Sequence, residues 1–519
     1  MNTFIKVLSA AAVFGLCPLS ANAQSSYVQE FGNNAEHDGA LSLCDKGNGE
    51  ILTLGYQKGI GSTTWDMFYV TNFDKDGNKV KSTEIGYVVN HKGKVIRKTS
   101  DGGYILGGDG KWCTGQTCGN DGMLVKLDNA LNIVWSSAVG GLFPIDDIAD
   151  VRETNGGFYV LANVGSPTTG LDFCVVKLNT NGDTIWTRTF SSYDNNASSE
   201  DRGFAIATPS DGSVVVLGRA YDASNSSYNN VSLMKINSNG TIAWSKVAKG
   251  FSTIADELLE LSDGYLFINS WGRLVKVDLN GDFVWQKGAA NGGLTPSFYK
   301  VNKDLVGNIL VCGAENSKAI MAQIKPDGTT MFAKKYNTSN DSYLDDIMQL
   351  SDGRIAACGY TTINTFAQSL LITASDNGSV GGTCLNNLSL NFQDVTPNPS
   401  FVNYNYMQIA NPVYIKITAT STDITNGNHS FTQSCKGTHW TLGLNNAVAN
   451  DINIQAANNN ISISGSDIND VKIFTIDGQL IYSATDSKSI DAYNFAAGIY
   501  LVRATNKNRQ VKCEKVCVR

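Results

Sequence analysis

Three tryptophans, Trp65, Trp112 and Trp271, fall in or beside stretches of irregular length, outside the pattern that repeats along most of the chain. An aromatic side chain so placed can stack on a sugar ring or anchor a protein partner, because it offers a large apolar face that a pocket can desolvate. Packing within a loop is the competing role. Two acidic pairs, Asp146-Asp147 and Asp345-Asp346, suggest a different chemistry. Two carboxyls about 5 to 9 Å apart can serve as acid and base on a glycosidic bond. Acidic residues at similar places, Asp201 and Asp256, precede other repeats, which favours a role in accepting backbone N–H bonds at turns.

No H-E-x-x-H, G-x-S-x-G or P-loop pattern occurs, and no His stands near a Ser or Cys in a recognisable local motif. Asp74, Asp76 and Asn78, and likewise Asp278, Asn280 and Asp282, imitate the start of a calcium loop. The positions that then require Gly and Glu hold Lys79 and Ile85 in one case and Phe283 and Ala289 in the other. The sequence therefore predicts no metal, no cofactor and no catalytic residue. Of its 11 cysteines, Cys113 and Cys118 bracket T-G-Q-T and are expected to close a local disulfide. Cys384 and Cys435 flank one region and could staple it. Cys174 sits within a repeat strand and reads as a small buried hydrophobe.

The elements that must position these residues are hairpins. V-V-K-L-N-T-N-G-D-T-I-W, Val175 to Trp186, has apolar or β-branched residues flanking Asn181-Gly182, and Asn-Gly predicts a two-residue type I′ turn. That turn places Lys177 opposite Trp186 and Leu178 opposite Ile185. The register recurs with Lys235 and Trp244, Lys276 and Trp285, and Gln323 and Phe332. Lys126 and Trp135 keep the spacing around Ala130-Leu131, where the turn residues are missing and a different turn is expected. Asp76-Gly77 and Asn377-Gly378 mark two copies without the Lys and Trp. A Lys stem lying along the facing indole is a cross-strand packing pair, and its repetition argues for packing between neighbouring units rather than a row of ligand sites.

Each hairpin follows another recurring strand whose turn glycines are Gly49, Gly102, Gly156, Gly212, Gly264, Gly307 and Gly353, at spacings of 43 to 56 residues. Units of this length with several strands and no helical periodicity point to propeller blades. The seventh unit lacks its last strand, and Tyr27 to Gly32 supplies a candidate that would pair with the strand around Leu370 to Thr373. The expected architecture is all-β: a signal peptide at 1–23, a seven-bladed β-propeller at 24–384, a β-rich connector at 385–446 whose fold the sequence does not define, and a C-terminal β-sandwich at 447–519.

At 519 residues with a formal net charge of −7, the chain offers no basic stripe for nucleic acid and no polybasic membrane patch. Lys6, the apolar run from Val7 to Leu19 and Ala21-Asn22-Ala23 read as a secretory signal cleaved after Ala23, so the chain is expected to be exported. No later segment is long and apolar enough to predict a membrane span.

The D-G-Q-L turn at Asp477 and Gly478, the G-I-Y at Gly498 to Tyr500 and a basic last strand with Lys512 and Lys515 resemble the C-terminal sorting domain of proteins exported by the type IX secretion system of Bacteroidota. The usual N-P near the first strand of that domain is absent here, and two late cysteines are unusual. Residues 24–384 more loosely resemble delta-60-type propeller repeats. The resemblance implies type IX machinery as a partner and a secreted or outer-membrane surface location. Together these readings favour an exported binding module for an extracellular protein or glycan, with a polysaccharide hydrolase or lyase, or a structural or adhesive surface component, as alternatives.

Overall fold

A computed structural model describes residues 26–436 and 452–518 apart from short stretches, the longer being 33–36, 59–65, 141–145, 193–199, 222–229, 252–256, 291–295, 381–384, 424–429 and 476–479. The described elements are all strands and turns. Contacts divide the chain into two compact units, one around Gln24–Trp440 and the other around Thr441–Lys472 and Ala484–Arg519.

The hairpin turn differs from the expected one. Gly182 N donates to Asn179 O at 3.1 Å and Asn179 N to Asp183 O at 2.9 Å, while Asn179 Oδ1 accepts the N–H groups of Asn181 and Asp183. Within this turn only Gly182 has positive φ, +75°. The turn therefore begins one residue early, at an Asx side chain that holds two backbone donors, and the glycine forms a bulge. Lys177 still faces Trp186, but Leu178 faces Thr184 rather than Ile185. The 128–132 copy turns in the same way, contrary to expectation. Asp128 Oδ1 accepts from Ala130 and Asn132, and Leu131 takes the glycine's place at φ 69°. The two calcium-like segments are also these turns, with Asp74 and Asp278 accepting backbone N–H groups.

A contact between neighbouring sheets explains the recurring aromatic. A Cβ added at Gly182 would lie 2.8 Å from the Trp135 ring, at Gly281 2.8 Å from Trp244, at Gly378 2.5 Å from Phe332 and at Gly77 2.7 Å from Tyr27. Each ring thus lies on the turn glycine of the next sheet. The indole N–H groups of Trp135 and Trp186 donate to Thr180 O and Ser238 O in those turns, at 3.2 and 3.0 Å. The strand Lys79–Gly86 has Lys81 at the aromatic position, across from Asn72. The turn it faces carries Leu131, buried in the core cluster shared by the first two sheets. Lys126, Lys235 and Lys276 reach into their own sheets instead, pairing with Asp101, Asp211 and Asp263 at 2.9, 2.8 and 2.7 Å, whereas Lys177 donates to Ser238 O in the next turn at 3.0 Å.

The described residues form seven five-stranded antiparallel sheets. Sheet 1 contains Asp38–Gly47, Glu50–Lys58, Asp66–Phe73 and Lys79–Gly86 in sequence order, and sheets 2 to 6 repeat the meander over 89–140, 147–191, 202–249, 259–290 and 297–336. Sheet 7 is built from Ser342–Gln349, Ile355–Ile363 and Phe366–Ala374, with Tyr27–Gly32 paired onto the last of these, Tyr27 facing Thr373 and Phe31 facing Ser369. Sheets 7 and 1 meet: Ser42 Oγ and Leu43 N both donate to Asp346 at 3.0 Å, and Arg354 donates to Gly49 O at 2.7 Å. Sheets 3 and 4 are joined in the same way, by Ile206 N donating to Asp150 at 3.1 Å. A ring of radial antiparallel sheets closed by its first strand is a β-propeller.

The connector does not form a module of its own. Its strands supply the fifth, outermost strand of every sheet, running backwards around the ring. Leu385–Asn387 pairs with sheet 6 and Asn391–Asp394 with sheet 5. Phe401–Asn403 pairs with sheet 4 and Met407–Ile409 with sheet 3. Val413–Ile417 pairs with sheet 2, Thr420–Asp423 with sheet 1, and Ser430–Lys436 with Tyr27–Gly32 of sheet 7. The belt is anchored by side chains that reach between sheets. Phe392 stacks on Phe298 at 5.7 Å, and buried Tyr406 meets Phe173 edge-on at 5.4 Å while its hydroxyl bonds Ser232 Oγ at 2.5 Å.

The C-terminal unit is a small β-sandwich. One sheet contains Asn453–Ala457, Asn460–Ser464 and Ser489–Asp491, and the other Leu480–Ala484, Ile468–Thr475, Gly498–Asn506 and Val511–Val518. Period-2 burial, with Ile461 and Ile463 inside, gives each sheet one apolar face.

Two substitutions probe this framework. Gly182→Ala is expected to cost about 1 to 2 kcal/mol for the left-handed backbone alone, more where Trp135 must shift, and Tyr406→Ala about 3 to 5 kcal/mol by loss of a buried ring. Urea unfolding of the purified chain measures both.

Candidate functional site

The first, innermost strand of six sheets carries one extra residue relative to its partner strand: Leu41, Lys94, Ala149, Phe204, Tyr299 and Asp345. A bulge leaves its residue without a cross-strand partner and re-aims the side chain. Five of these six, all but Tyr299, line a cavity of about 270 Å³ at the centre of the ring, together with Arg97, Asp147, Asp150, Asn163, Arg202 and Lys300.

The acidic pairs divide between two tasks. Asp146 and Asp346 are buried and structural: Asp146 Oδ1 accepts Gly165 N at 2.7 Å, and Asp346 holds sheet 1. Asp147 and Asp345 line the cavity. Asp201 is buried and accepts Ser192 N and Tyr221 N at 2.6 and 2.8 Å, as a turn cap would. Asp256 lies outside the described residues.

Charges inside the channel are matched. Lys94 contacts Asp147 at 2.6 Å, with Asn163 Nδ2 donating to the same carboxylate at 2.7 Å. Deeper in, Glu257 pairs with Arg97 at 2.9 Å, with Lys300 at 3.2 Å and with Arg152, so three sheets and the segment leading into a fourth contribute to one ionic knot. Asp150 completes it through Arg97 and Arg152, at 3.3 Å each. Burial would raise the Asp150 carboxyl, but the two guanidiniums and Lys300 outweigh it and hold it below the usual range. Asp147 behaves likewise, with burial outweighed first by Lys94. Asp109, beside these groups, moves the opposite way because burial outweighs Lys94 and the Asp147 charge adds to the rise. Two nearby carboxyls pushed apart are what acid–base chemistry uses. Asp172 is also pushed up, to about 7, by burial. With no exposed surface, it is closed to a substrate.

Four half-buried tyrosines, Tyr56, Tyr299, Tyr343 and Tyr360, cluster around Asp345, which lines the cavity. Tyr343 and Tyr360 are cross-strand partners with rings 5.0 Å apart and 24° from parallel. Lys92 Nζ lies 4.8 Å above the Tyr56 ring. Sequence reasoning missed these tyrosines and the ionic knot. A signal was present, since each bulge residue precedes its turn glycine by eight residues, or by seven at Ala149.

Of the tryptophans expected to bind, Trp65 and Trp271 lie outside the described residues. Trp112 is in the strand Tyr104–Thr114, its Cα across from Gly119, and the same register sets Cys113 directly across from Cys118. Cys435 faces Val28, and Cys384 lies outside the described residues. Cys44, Cys174, Cys312 and Cys358 are buried free thiols, as expected for Cys174. Asp477 and Gly478 also fall outside. Gly498 and Tyr500 lie in the strand Gly498–Asn506, where Tyr500 is buried, while Lys512 faces Ala504 and Lys515 faces Leu501. Among the described residues no group of three His, Cys, Asp or Glu could hold a metal, and no helix is long and apolar enough to cross a membrane.

Residues 446–519 match the family described as the secretion system C-terminal sorting domain. No curated protein matches the chain. Among solved structures, similarity is found to BamB from Moraxella catarrhalis (10% identity, 64% of this chain and 85% of that one, TM-score 0.34). It is also found to the C-terminal WD40 domain of Sif2 (8%, 66% and 98%, TM-score 0.37). The sheet topology, not these likenesses, defines the propeller. The chain carries a type IX secretion sorting domain on a β-propeller and is therefore an exported protein, secreted or attached to the cell surface.

Glu257→Gln would remove the carboxylate that Arg97, Arg152 and Lys300 share, and the expected loss is about 3 to 5 kcal/mol by urea unfolding. Asp172 retains its proton in the folded chain up to about 7, whereas the unfolded chain releases it near pH 4. Stability should fall as pH rises between these values, and Asp172→Asn should remove that slope from a thermal-melt series.

Proposed function

We propose that this chain is an exported propeller that binds a small extracellular ligand through its central channel. The observation that carries this reading is the set of bulges that bring one side chain from each of five sheets to a single cavity. Such devices collect at functional sites. Lys94, Arg97, Asp147 and Asp150 are held in ion pairs there, which suits a preorganised binding surface. On this reading the signal segment is removed after Ala23, type IX machinery handles the sorting domain, and Cys113 and Cys118, opposite in register, are joined. Reagent labelling with mass spectrometry is expected to find that pair oxidised in the exported protein.

One observation favours a hydrolase as second reading: burial pushes the Asp109 carboxyl up while Lys94 holds that of neighbouring Asp147 down. Screening the purified full chain on combined saccharide and peptide arrays separates the two. Binding is expected to weaken at least tenfold in Lys94→Ala/Arg202→Ala, with no product released. Release of new reducing ends that Asp109→Asn abolishes would establish hydrolysis instead.

A further inference from the structure

The channel combines features that restrict its ligand chemistry, given that the channel binds a ligand at all. Tyr343 and Tyr360 form a stacked pair in the sheet that carries cavity-lining Asp345, and Tyr56 and the bulged Tyr299 lie near them. The tyrosines are near one another and near Asp345: burial, then the Asp345 charge and the neighbouring phenols, push Tyr360 up to about 12. Four aromatic rings bring a large apolar contact area with little rotamer freedom to lose, and each hydroxyl can donate or accept a hydrogen bond.

The adjoining cavity is lined by donors and acceptors in near balance. Lys94 is matched by Asp147 at 2.6 Å, and Arg202 approaches the same carboxylate at 3.9 Å. A strongly charged ligand would have to separate these partly buried pairs, leaving one member uncompensated. A neutral ligand rich in hydroxyls would not. Vicinal hydroxyls can donate to the remaining lone pairs of a carboxylate and accept from a guanidinium or ammonium while the ion pairs stay intact. The ring faces of a pyranose are apolar, and its rim is polar. A cavity of about 270 Å³ takes the end of an oligosaccharide rather than a folded partner.

We infer that the mouth formed by Tyr56, Tyr299, Tyr343 and Tyr360, with Asp147 and Arg202 beneath it, binds the end of a neutral oligosaccharide, one sugar ring packing on the Tyr343 and Tyr360 pair. This rests on the channel being the ligand site. The tyrosine rings supply contact area, and the ion-paired floor orients the hydroxyls.

The test uses the full-length exported chain and its Tyr343→Ala, Tyr360→Ala, Tyr343→Phe and Arg202→Ala variants, with thermal melts confirming that each is folded. Each is assayed by calorimetry against neutral, acidic and aminated oligosaccharides, and in a second arm against arrayed peptides. The expected result is saturable binding of a neutral oligosaccharide, weakened at least tenfold by either alanine and by Arg202→Ala but less than threefold by Tyr343→Phe. Preference for acidic or aminated sugars would overturn the neutral assignment. Tyrosine-dependent binding of a peptide instead of a sugar would overturn the ligand class and leave the channel as a binding site. Binding that none of these variants alters, or no binding in either arm, would overturn both.

Discussion

A β-strand at the edge of a sheet presents unpaired N–H and C=O groups, and a propeller of radial meanders has an outer edge on every sheet. That constraint governs this molecule. Tyr27–Gly32 pairs with the last strand of sheet 7 and binds the two ends of the ring together. The segment from Leu385 to Lys436 then returns around the circumference and covers all seven sheets. Its own exposed pieces are short, three residues at Leu385–Asn387, Phe401–Asn403 and Met407–Ile409, which is how natural sheets limit further pairing. Because Ser430–Lys436 lies on Tyr27–Gly32, closure of the ring and completion of the belt share one strand.

Contacts between sheets obey a second rule. At Gly77, Gly182, Gly281 and Gly378 an aromatic ring from one sheet lies on the turn glycine of the next and leaves no room for a Cβ, whereas at Gly328 the stem of Lys287 takes that place. Where the ring is replaced by Lys81, the facing turn has exchanged its glycine for Leu131, although a leucine at φ 69° is strained. The two departures offset each other across the interface of sheets 1 and 2. Either one viewed alone would read as a degenerate repeat.

The interior edge is treated differently. There the first strands of six sheets are bulged rather than covered, and five of them deliver side chains to the cavity at equivalent positions. The identities at these positions vary from Leu41 and Ala149 to Lys94, Tyr299 and Asp345, while the backbone device is constant. A repeating scaffold thereby supports a non-repeating site. The matched charges of Arg97, Arg152, Lys300, Asp150 and Glu257 fix the depth of the channel.

The sequence by itself determined what depends on local periodicity and turn chemistry: strands in repeated meanders, the pairing of Lys177 with Trp186, the borrowed strand at Tyr27–Gly32, and the C-terminal sorting domain with its turn and strand motifs. It misplaced the hairpin turn by one residue because Asn179 competes for the backbone donors, a choice that the Asn-Gly pair does not encode. The destination of Leu385 to Lys436 was decided only by tertiary structure. Strands of three to seven residues have no stable partner of their own, and their register is set by the edges that they cover. The site followed the same logic. Tyr56, Tyr299, Tyr343 and Tyr360 are scattered over more than 300 residues, and only ring closure, which sets sheet 7 against sheet 1, brings them together around Asp345.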